Sequence, residues 1–175
     1  MSLKTQVFGG SEDAFQSRLK GNRNEVILAK LLTDWTGVKF QRTPRSGGIH
    51  ALAEFCCGDV MCVSREFIFP FSVETKHYKV IGSPNGGMFF RKNSKMLKFW
   101  KQAQADADRS KKKPMLLARQ NGMPKGEYYV CLPITLEDKI GIPVVAYLRD
   151  KDGFTVAFCV MATRLFANPY SSYGI

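Results

Sequence analysis

The clearest strand pattern in the chain is Phe67-Ile68-Phe69-Pro70-Phe71-Ser72-Val73-Glu74-Thr75-Lys76. Side chains alternate between the two faces of a β-strand, so this run predicts one apolar face and one polar face. The apolar face must be buried, and it carries Phe67, Phe69, Phe71 and Val73. The polar face carries Ser72, Glu74 and Lys76. A carboxylate and an ammonium group therefore lie side by side on a rigid support.

Helical and strand patterns follow one another along the rest of the chain. Apolar residues at helical spacing predict a first helix over about 11–35, with a break at Gly21 left open. Ser94 is a good N-cap for a second helix over 94–109. The helical period predicts that one stripe of this helix is buried, formed by Met96, Trp100, Ala103 and Ala107, and that Lys95, Lys98 and Lys101 point outward. Residues 162–167 predict a short third helix. Further strands are predicted at 59–63, 115–119, 127–133, 144–148 and 154–160. The order of helix, strands, helix and strands is typical of an α/β layered domain.

Length and composition limit the class of protein. With 175 residues, 45% of them hydrophobic, the chain is expected to form a single domain over 1–175, with 1–10 as a loosely held arm. No apolar stretch reaches the length of a membrane span and no secretory signal is visible, so we expect a cytoplasmic location and no membrane partner. No phosphate-binding glycine loop with its lysine occurs, so no nucleotide cofactor is expected.

Charge indicates the partner. The chain has 26 Lys and Arg against 15 Asp and Glu, a net charge of +11. Nine basic residues lie between Arg91 and Lys113, with only two acidic ones. Such an excess favours a polyanion, and nucleic acid is the leading candidate. A basic surface kept for solubility is the alternative explanation.

The five cysteines predict no disulfide framework, because their number is odd and their spacing irregular. No CxxC pair suggests zinc. We expect buried thiols in a reducing compartment, in preference to a redox-active Cys56-Cys57 pair.

Three acids could meet around a divalent cation. Asp59 precedes a predicted strand, Glu74 ends the next one, and Glu25 lies on the inward stripe of the first helix. Mg²⁺ prefers such oxygen ligands, with Mn²⁺ as a substitute, and the Thr75 carbonyl could add a further oxygen. Lys76 could then orient a water or stabilise charge on a phosphate. Taken alone, Glu74 and Lys76 are better explained as an exposed ion pair, and Glu25 as an exposed acid at the edge of the stripe. A buried Glu25 would need a metal cluster or a basic residue as its partner.

The loop after the first helix carries residues suited to a phosphate backbone. Arg42, Arg45 and Ser46 lie among glycines that permit a close approach, although an ordinary turn would have a similar composition.

Taken together, the motifs resemble the PD-(D/E)XK nucleases. The residues that carry the resemblance occur in the order of that family: Lys20-Gly21, Glu25, Arg42-Thr43-Pro44-Arg45-Ser46-Gly47-Gly48, Gly58-Asp59-Val60, Phe69 to Lys76, and Trp100-Lys101-Gln102-Ala103. The chain is most similar to phage endonucleases related to archaeal Holliday junction resolvases. The resemblance covers about residues 17–133, and 134–175 are unassigned.

The resemblance implies a restriction-endonuclease-like core, with a mixed central β-sheet flanked by α-helices, commonly in a homodimer. It makes Asp59 and Glu74 metal ligands, Lys76 the catalytic lysine and Glu25 the helix acid. DNA contacts are expected from Lys20, Arg42, Arg45, Ser46, Arg91, Lys92 and Gln102. Gly58 replaces the proline of the motif without touching the ligands. The motif register selects Gln102, whereas the helical wheel places Gln104 nearer the inward stripe.

The sequence therefore predicts a Mg²⁺-dependent DNA endonuclease that could act on branched DNA such as four-way junctions. Two other hypotheses remain. The chain could be a basic nucleic-acid-binding protein without catalysis, or a virion or packaging protein that binds DNA.

Overall fold

The computed structural model describes residues 12–44, 58–64, 66–82 and 94–175, without the side chains of 12–18 and Lys20. The elements follow one another as α1 (Glu12–Thr36), β1 (Phe40–Arg42), β2 (Val60–Cys62), β3 (Phe71–Tyr78), α2 (Lys95–Arg109), β4 (Lys113–Gln120), β5 (Tyr129–Pro133), a 3₁₀ turn (Ile134–Leu136), α3 (Glu137–Ile140), β6 (Ala146–Arg149), β7 (Thr155–Met161), α4 (Ala162–Leu165) and a second 3₁₀ turn (Tyr170–Tyr173).

The seven strands form one mixed sheet in the order β1-β2-β3-β4-β5-β7-β6. β3 and β4 run parallel, with Phe71 opposite Lys113 and Tyr78 opposite Gln120, whereas the other neighbouring strands are antiparallel. Parallel neighbours require a crossover, and α2 supplies it between β3 and β4. The predicted α/β fold with a mixed sheet and flanking helices is confirmed.

Helices cover both faces of this sheet. On one face α1 packs through Leu28, Leu32 and Trp35 against a core that includes Val73 of β3. On the other face α2 packs through a second apolar cluster. The buried stripe predicted for α2 is confirmed, and it consists of Met96, Trp100, Ala103 and Ala107. Because the two faces of β3 meet different helices, Thr75 points towards α1, while Glu74 and Lys76 point towards α2.

The decisive strand is shifted from its predicted bounds. β3 begins at Phe71 instead of residue 67 and continues to Tyr78 instead of ending at Lys76. Pro70 has no amide hydrogen to donate to a ladder, and the parallel pairing with β4 begins at the next residue. The predicted burial holds nevertheless, because Phe67 and Phe69 pack into the same core as Phe71.

The question left open at Gly21 is resolved, because α1 runs through this residue without a break. A single glycine costs a helix only about 1 kcal/mol, which the packing of α1 outweighs. The loop predicted after α1 begins with strand β1, which ends at Arg42 and was too short to show a period.

The cysteine prediction is wrong for one pair. Cys131 and Cys159 are joined by a disulfide, because they lie directly opposite each other on β5 and β7. Cys62 is a free thiol. Cys56 and Cys57 lie outside the described residues, as does the predicted arm over 1–10.

No helix in the part of the chain that the structure describes is long and apolar enough to cross a bilayer.

Candidate metal and nuclease site

Asp59 is fixed by the glycine that precedes it and by hydrogen bonds to β3. Gly58 approaches β3 so closely that a Cβ there would lie 2.3 Å from the Val73 carbonyl oxygen, and its φ of +85° favours glycine. The Asp59 amide then donates to the Val73 carbonyl at 2.7 Å. In turn, Asp59 Oδ2 accepts a hydrogen bond from the Thr75 amide at 2.9 Å. The Asp59 carboxylate is therefore held against β3 at Thr75, the residue that follows Glu74.

Glu74 lies at the centre of the polar face of β3. Lys76 Nζ donates to Glu74 Oε1 at 2.5 Å, and Gln102 Nε2 of α2 donates to the same oxygen at 2.9 Å. The Glu74 side chain is 6% exposed and that of Lys76 is 21% exposed. Both donors bind Oε1, and no donor among the described residues binds Oε2. Oε2 is thus the Glu74 oxygen that a cation could bind.

Burial, followed by the negative charge of Asp59, raises the pKa of the Glu74 carboxyl from 4.5 to about 7. The hydrogen bond and charge of Lys76 act in the opposite direction, and the charge of Asp106 adds a weaker upward effect on the same pKa. The half-buried Asp59 opposes the ionisation of the buried Glu74, and two such carboxylates form a site that a cation would stabilise. All the donors are oxygens, which fits a hard divalent cation such as Mg²⁺.

A buried polar network supports the strand from behind. Asn24 Nδ2 of α1 donates to Thr75 Oγ1 at 2.7 Å, and the Tyr128 hydroxyl donates to Asn24 Oδ1 at 2.8 Å. Asn24 is only 4% exposed, so both of its hydrogen bonds lie in the core. Sequence analysis missed this role. Its signal was a polar side chain one helical turn before Leu28, on the inward stripe of α1.

Glu25 is buried, as its place on the stripe of α1 predicted, and it forms an ion pair with the Arg42 guanidinium at the end of β1. A basic residue was one of the two kinds of partner considered from the sequence, and Arg42 fills that role. Glu25, Asp59 and Glu74 do not form one group, and the described residues include no cluster of three acids, histidines or cysteines close enough for a metal. The difference arises because the Glu25 carboxylate is directed to β1.

The predicted DNA-binding residues divide into two groups. Arg42 and Gln102 are described, and both lie beside acids of the site. Of the two candidate glutamines, Gln102 is the one hydrogen-bonded to Glu74. The remaining residues lie outside the described part, or have no described side chain: Lys20, Arg45, Ser46, Arg91 and Lys92.

Helix α2 also carries a basic surface. Lys95, Lys98 and Lys101 are exposed on the side of the helix that does not pack on the sheet. Their positions were predicted from the helical period. They place positive charge along the same helix that contributes Gln102 to the site.

Comparison with known proteins gives two matches. A family model described as "Phage putative PDDEXK endonuclease" matches residues 16–168. "Protein D14" of Escherichia phage T5 is 27% identical over 123 residues, which cover 68% of this chain and 72% of that protein. No solved structure matches significantly.

Proposed function

Because the chain belongs to this family of phage PDDEXK endonucleases, we propose that it hydrolyses phosphodiester bonds of DNA with the aid of a divalent metal ion. The observation that carries the proposal is the arrangement of Asp59, Glu74 and Lys76. Two carboxylates raise each other's affinity for cations, and an ammonium group lies within hydrogen-bonding distance of one of them.

The proposed metal ligands are the carboxylates of Asp59 and Glu74, together with the Thr75 carbonyl. When bound, Mg²⁺ polarises a phosphoryl oxygen and makes a bound water easier to deprotonate, and Mn²⁺ is expected to substitute for it. Glu25 is the third proposed acid and the fourth proposed ligand. Its carboxylate would have to leave Arg42 before it could act at the same ion.

The remaining residues of the site bind and orient. Lys76 carries a compact positive charge, suited to stabilising the negative charge that develops on the phosphate in the transition state. Gln102 holds Glu74 Oε1 and so fixes the orientation of that carboxylate. Asn24 fixes Thr75 from the opposite face of the sheet.

We propose DNA as the substrate because of the positive charge beside the site. Lys95, Lys98 and Lys101 are exposed on α2, and the chain as a whole carries a net charge of +11. Arg42 and Gln102 are further proposed DNA contacts. The remaining proposed contacts are residues whose side chains lie outside the described part of the chain: Lys20, Arg45, Ser46, Arg91 and Lys92.

A finer proposal follows from the resemblance to junction resolvases. We propose that the enzyme selects branched DNA, that residues 1–175 form one nuclease domain, and that two copies form a symmetric homodimer. Two active sites related by a two-fold axis would suit paired cuts across a symmetric junction. Its DNA substrate would then be met in the cytoplasm of the host cell.

The experiment is a panel of labelled DNAs of equal length: four-way junction, flap, single strand and duplex. Each is incubated with the protein in Mg²⁺, in Mn²⁺ and in EDTA. We expect cleavage in both metals, none in EDTA, and a preference for the junction. Binding to every substrate without cleavage in either metal would contradict the enzyme and favour a non-catalytic DNA-binding protein.

A further inference from the structure

The row of polar side chains on β3 does not end at Lys76. Tyr78 is the last residue of the strand, and it lies on the same face as Glu74 and Lys76. Helix α2 runs beside this row in the opposite direction. Gln102 contacts Glu74, Phe99 lies beside both Lys76 and Tyr78, and Lys95 lies beside Tyr78. β3 and α2 thus form one continuous surface strip, from Glu74 and Gln102 at one end to Tyr78 and Lys95 at the other.

The Tyr78 end of this surface strip combines aromatic rings with positive charge. The Tyr78 and Phe99 ring centroids are 5.0 Å apart at an interplanar angle of 43°. Lys95 Nζ lies 5.3 Å from the Tyr78 centroid, and Lys76 Nζ lies 5.9 Å from the Phe99 centroid. Tyr78 nevertheless remains 42% exposed. Phe99 fixes the orientation of the Tyr78 ring. The Tyr78 side chain therefore loses little conformational entropy when a ligand stacks on its ring.

We propose that Tyr78 is a stacking platform for an unpaired nucleobase next to the phosphate that Lys76 contacts, with Lys95 pairing with a neighbouring phosphate. The proposal rests on the proposed function, because that function assigns the phosphate to Lys76. It deepens that function by naming a residue that would select the structure of the DNA.

The spacing along the strand fits this role. Two residues of a β-strand span about 7 Å. Successive nucleotides of a stacked DNA strand are separated by about 3.4 Å. Tyr78 would therefore reach a base one or two nucleotides from the phosphate at Lys76.

Stacking on a protein ring requires a free base face. In a continuous duplex both faces of each base are covered by its neighbours, whereas bases at a junction centre, a flap or a single-stranded end can be displaced onto an aromatic side chain. Such a platform would favour DNA with an unpaired base close to the cut. It gives a physical reason for selection by structure without sequence readout.

The test measures binding in EDTA, where no cleavage occurs. One probe is an oligonucleotide duplex with a single unpaired 2-aminopurine, whose fluorescence falls on stacking, and the second is the fully paired duplex of the same sequence. The variants are Tyr78→Phe, Tyr78→Trp and Tyr78→Leu. Phe154→Leu is the control, since Phe154 is also exposed but lies in the β6–β7 hairpin, at the other end of the sheet.

We expect Tyr78→Phe and Tyr78→Trp to bind the unpaired probe tightly and to quench its fluorescence. Tyr78→Leu should bind this probe about 5- to 100-fold more weakly, without quenching, and should bind the paired duplex as the wild type does. Phe154→Leu should match the wild type on both probes. Equal affinity of Tyr78→Leu and Tyr78→Phe for the unpaired probe would overturn the proposal.

Protein stability separates stacking from simple packing on Phe99. If Tyr78→Leu lowers the Tm strongly, its weaker binding could reflect lost packing. Stacking is then tested by the quenching of the probe in Tyr78→Trp and Tyr78→Phe, because the larger ring of Trp should quench at least as well as that of Phe. Absence of quenching by both aromatic variants would also overturn the proposal. Failure of the wild type to cut DNA in Mg²⁺ would contradict the proposed endonuclease activity. It would leave the binding and quenching measured in EDTA unchanged, so the two proposals can fail separately.

Discussion

The side-chain amide of Asn24 donates a hydrogen bond to Thr75 Oγ1 at 2.7 Å, and so joins α1 to the strand that carries the candidate site. The Thr75 amide in turn holds Asp59 Oδ2 at 2.9 Å. Asn24, an uncharged residue of α1, is therefore connected through Thr75 to the Asp59 carboxylate. The geometry of the site depends on packing between α1 and β3 as much as on the acids themselves.

Replacing Asn24 with alanine should weaken both stability and metal binding. The change leaves Thr75 Oγ1 and the Tyr128 hydroxyl in the core without the partner they have now, which should cost about 1–3 kcal/mol of unfolding free energy. A looser Thr75 should also weaken Mn²⁺ binding and slow cleavage. Urea unfolding and calorimetric Mn²⁺ titration measure the two effects.

The matched control is Tyr128→Phe, which removes the hydrogen bond to Asn24 Oδ1 and keeps the one to Thr75. It should lose some stability and keep its affinity for Mn²⁺. If Asn24→Ala bound Mn²⁺ as tightly as the wild type, the connection from Asn24 to the metal ligands would be refuted.

The raised pKa of Glu74 predicts a pH-dependent stability of the metal-free protein. Burial and the charge of Asp59 raise this pKa to about 7, so the folded chain keeps a proton that the unfolded chain releases above about pH 4.5. The resulting stabilisation is complete below pH 4.5 and is lost as the pH rises through about 7. In EDTA, the Tm should fall more steeply between pH 5.5 and 8 in the wild type than in Glu74→Gln.

The control for this effect is Glu66→Gln, because Glu66 is an exposed carboxyl outside the site. It should keep the wild-type dependence of Tm on pH. Added Mg²⁺ should raise the Tm of the wild type at pH 8 and leave that of Glu74→Gln unchanged. Equal slopes for the wild type and Glu74→Gln in EDTA would show that Glu74 is not the titrating group.

The ion pair between Glu25 and Arg42 should stabilise the junction of α1 with β1. Glu25 is almost fully buried, whereas the Arg42 side chain is 33% exposed. Arg42→Ala removes one charged partner of a buried carboxylate, which should cost about 1–3 kcal/mol. The double variant Glu25→Gln/Arg42→Ala should recover part of this loss, because no buried charge remains. Additive losses in a double-mutant cycle would show that the two residues do not interact.

Gly58 should tolerate no side chain, for two separable reasons. Its φ is +85°, and a Cβ would lie 2.3 Å from the Val73 carbonyl oxygen. Gly153 has a similar φ of +90° with no atom within 4 Å of the Cβ position, so Gly153→Ala measures the cost of the backbone conformation alone, about 1 kcal/mol. Gly58→Ala should cost more and should also weaken Mn²⁺ binding by displacing Asp59. Equal thermal stability of the two variants would contradict this.

Local patterns predicted much of the fold. The two-residue period placed Phe71 and Val73 in the core and Glu74 on the opposite face, and the helical period gave the buried stripe of α2 together with its exposed lysines. Ser94 was predicted as the N-cap, and its hydroxyl accepts a hydrogen bond from the Leu97 amide. These features depend on neighbours in sequence, which a single chain displays.

Contacts between distant residues could not be predicted in the same way. The pairing of Asn24 with Thr75, and of Glu25 with Arg42, depends on the angle at which α1 crosses the sheet. The opposition of Cys131 and Cys159 depends on the register of β5 and β7. Neither the crossing angle nor the register leaves a periodic trace in the sequence, so chemistry built from such pairs appears only in three dimensions.

Cleavage of one labelled four-way junction in Mg²⁺ by Asp59→Asn, Glu74→Gln and the wild type shows whether the two acids hold the ion needed for hydrolysis. Cleavage is followed on denaturing gels, and binding is followed by fluorescence anisotropy in EDTA. We predict that both variants bind the junction about as tightly as the wild type and cut it at least about 100-fold more slowly, since each lacks one proposed ligand of the ion. Cleavage by either variant at the wild-type rate would contradict the account.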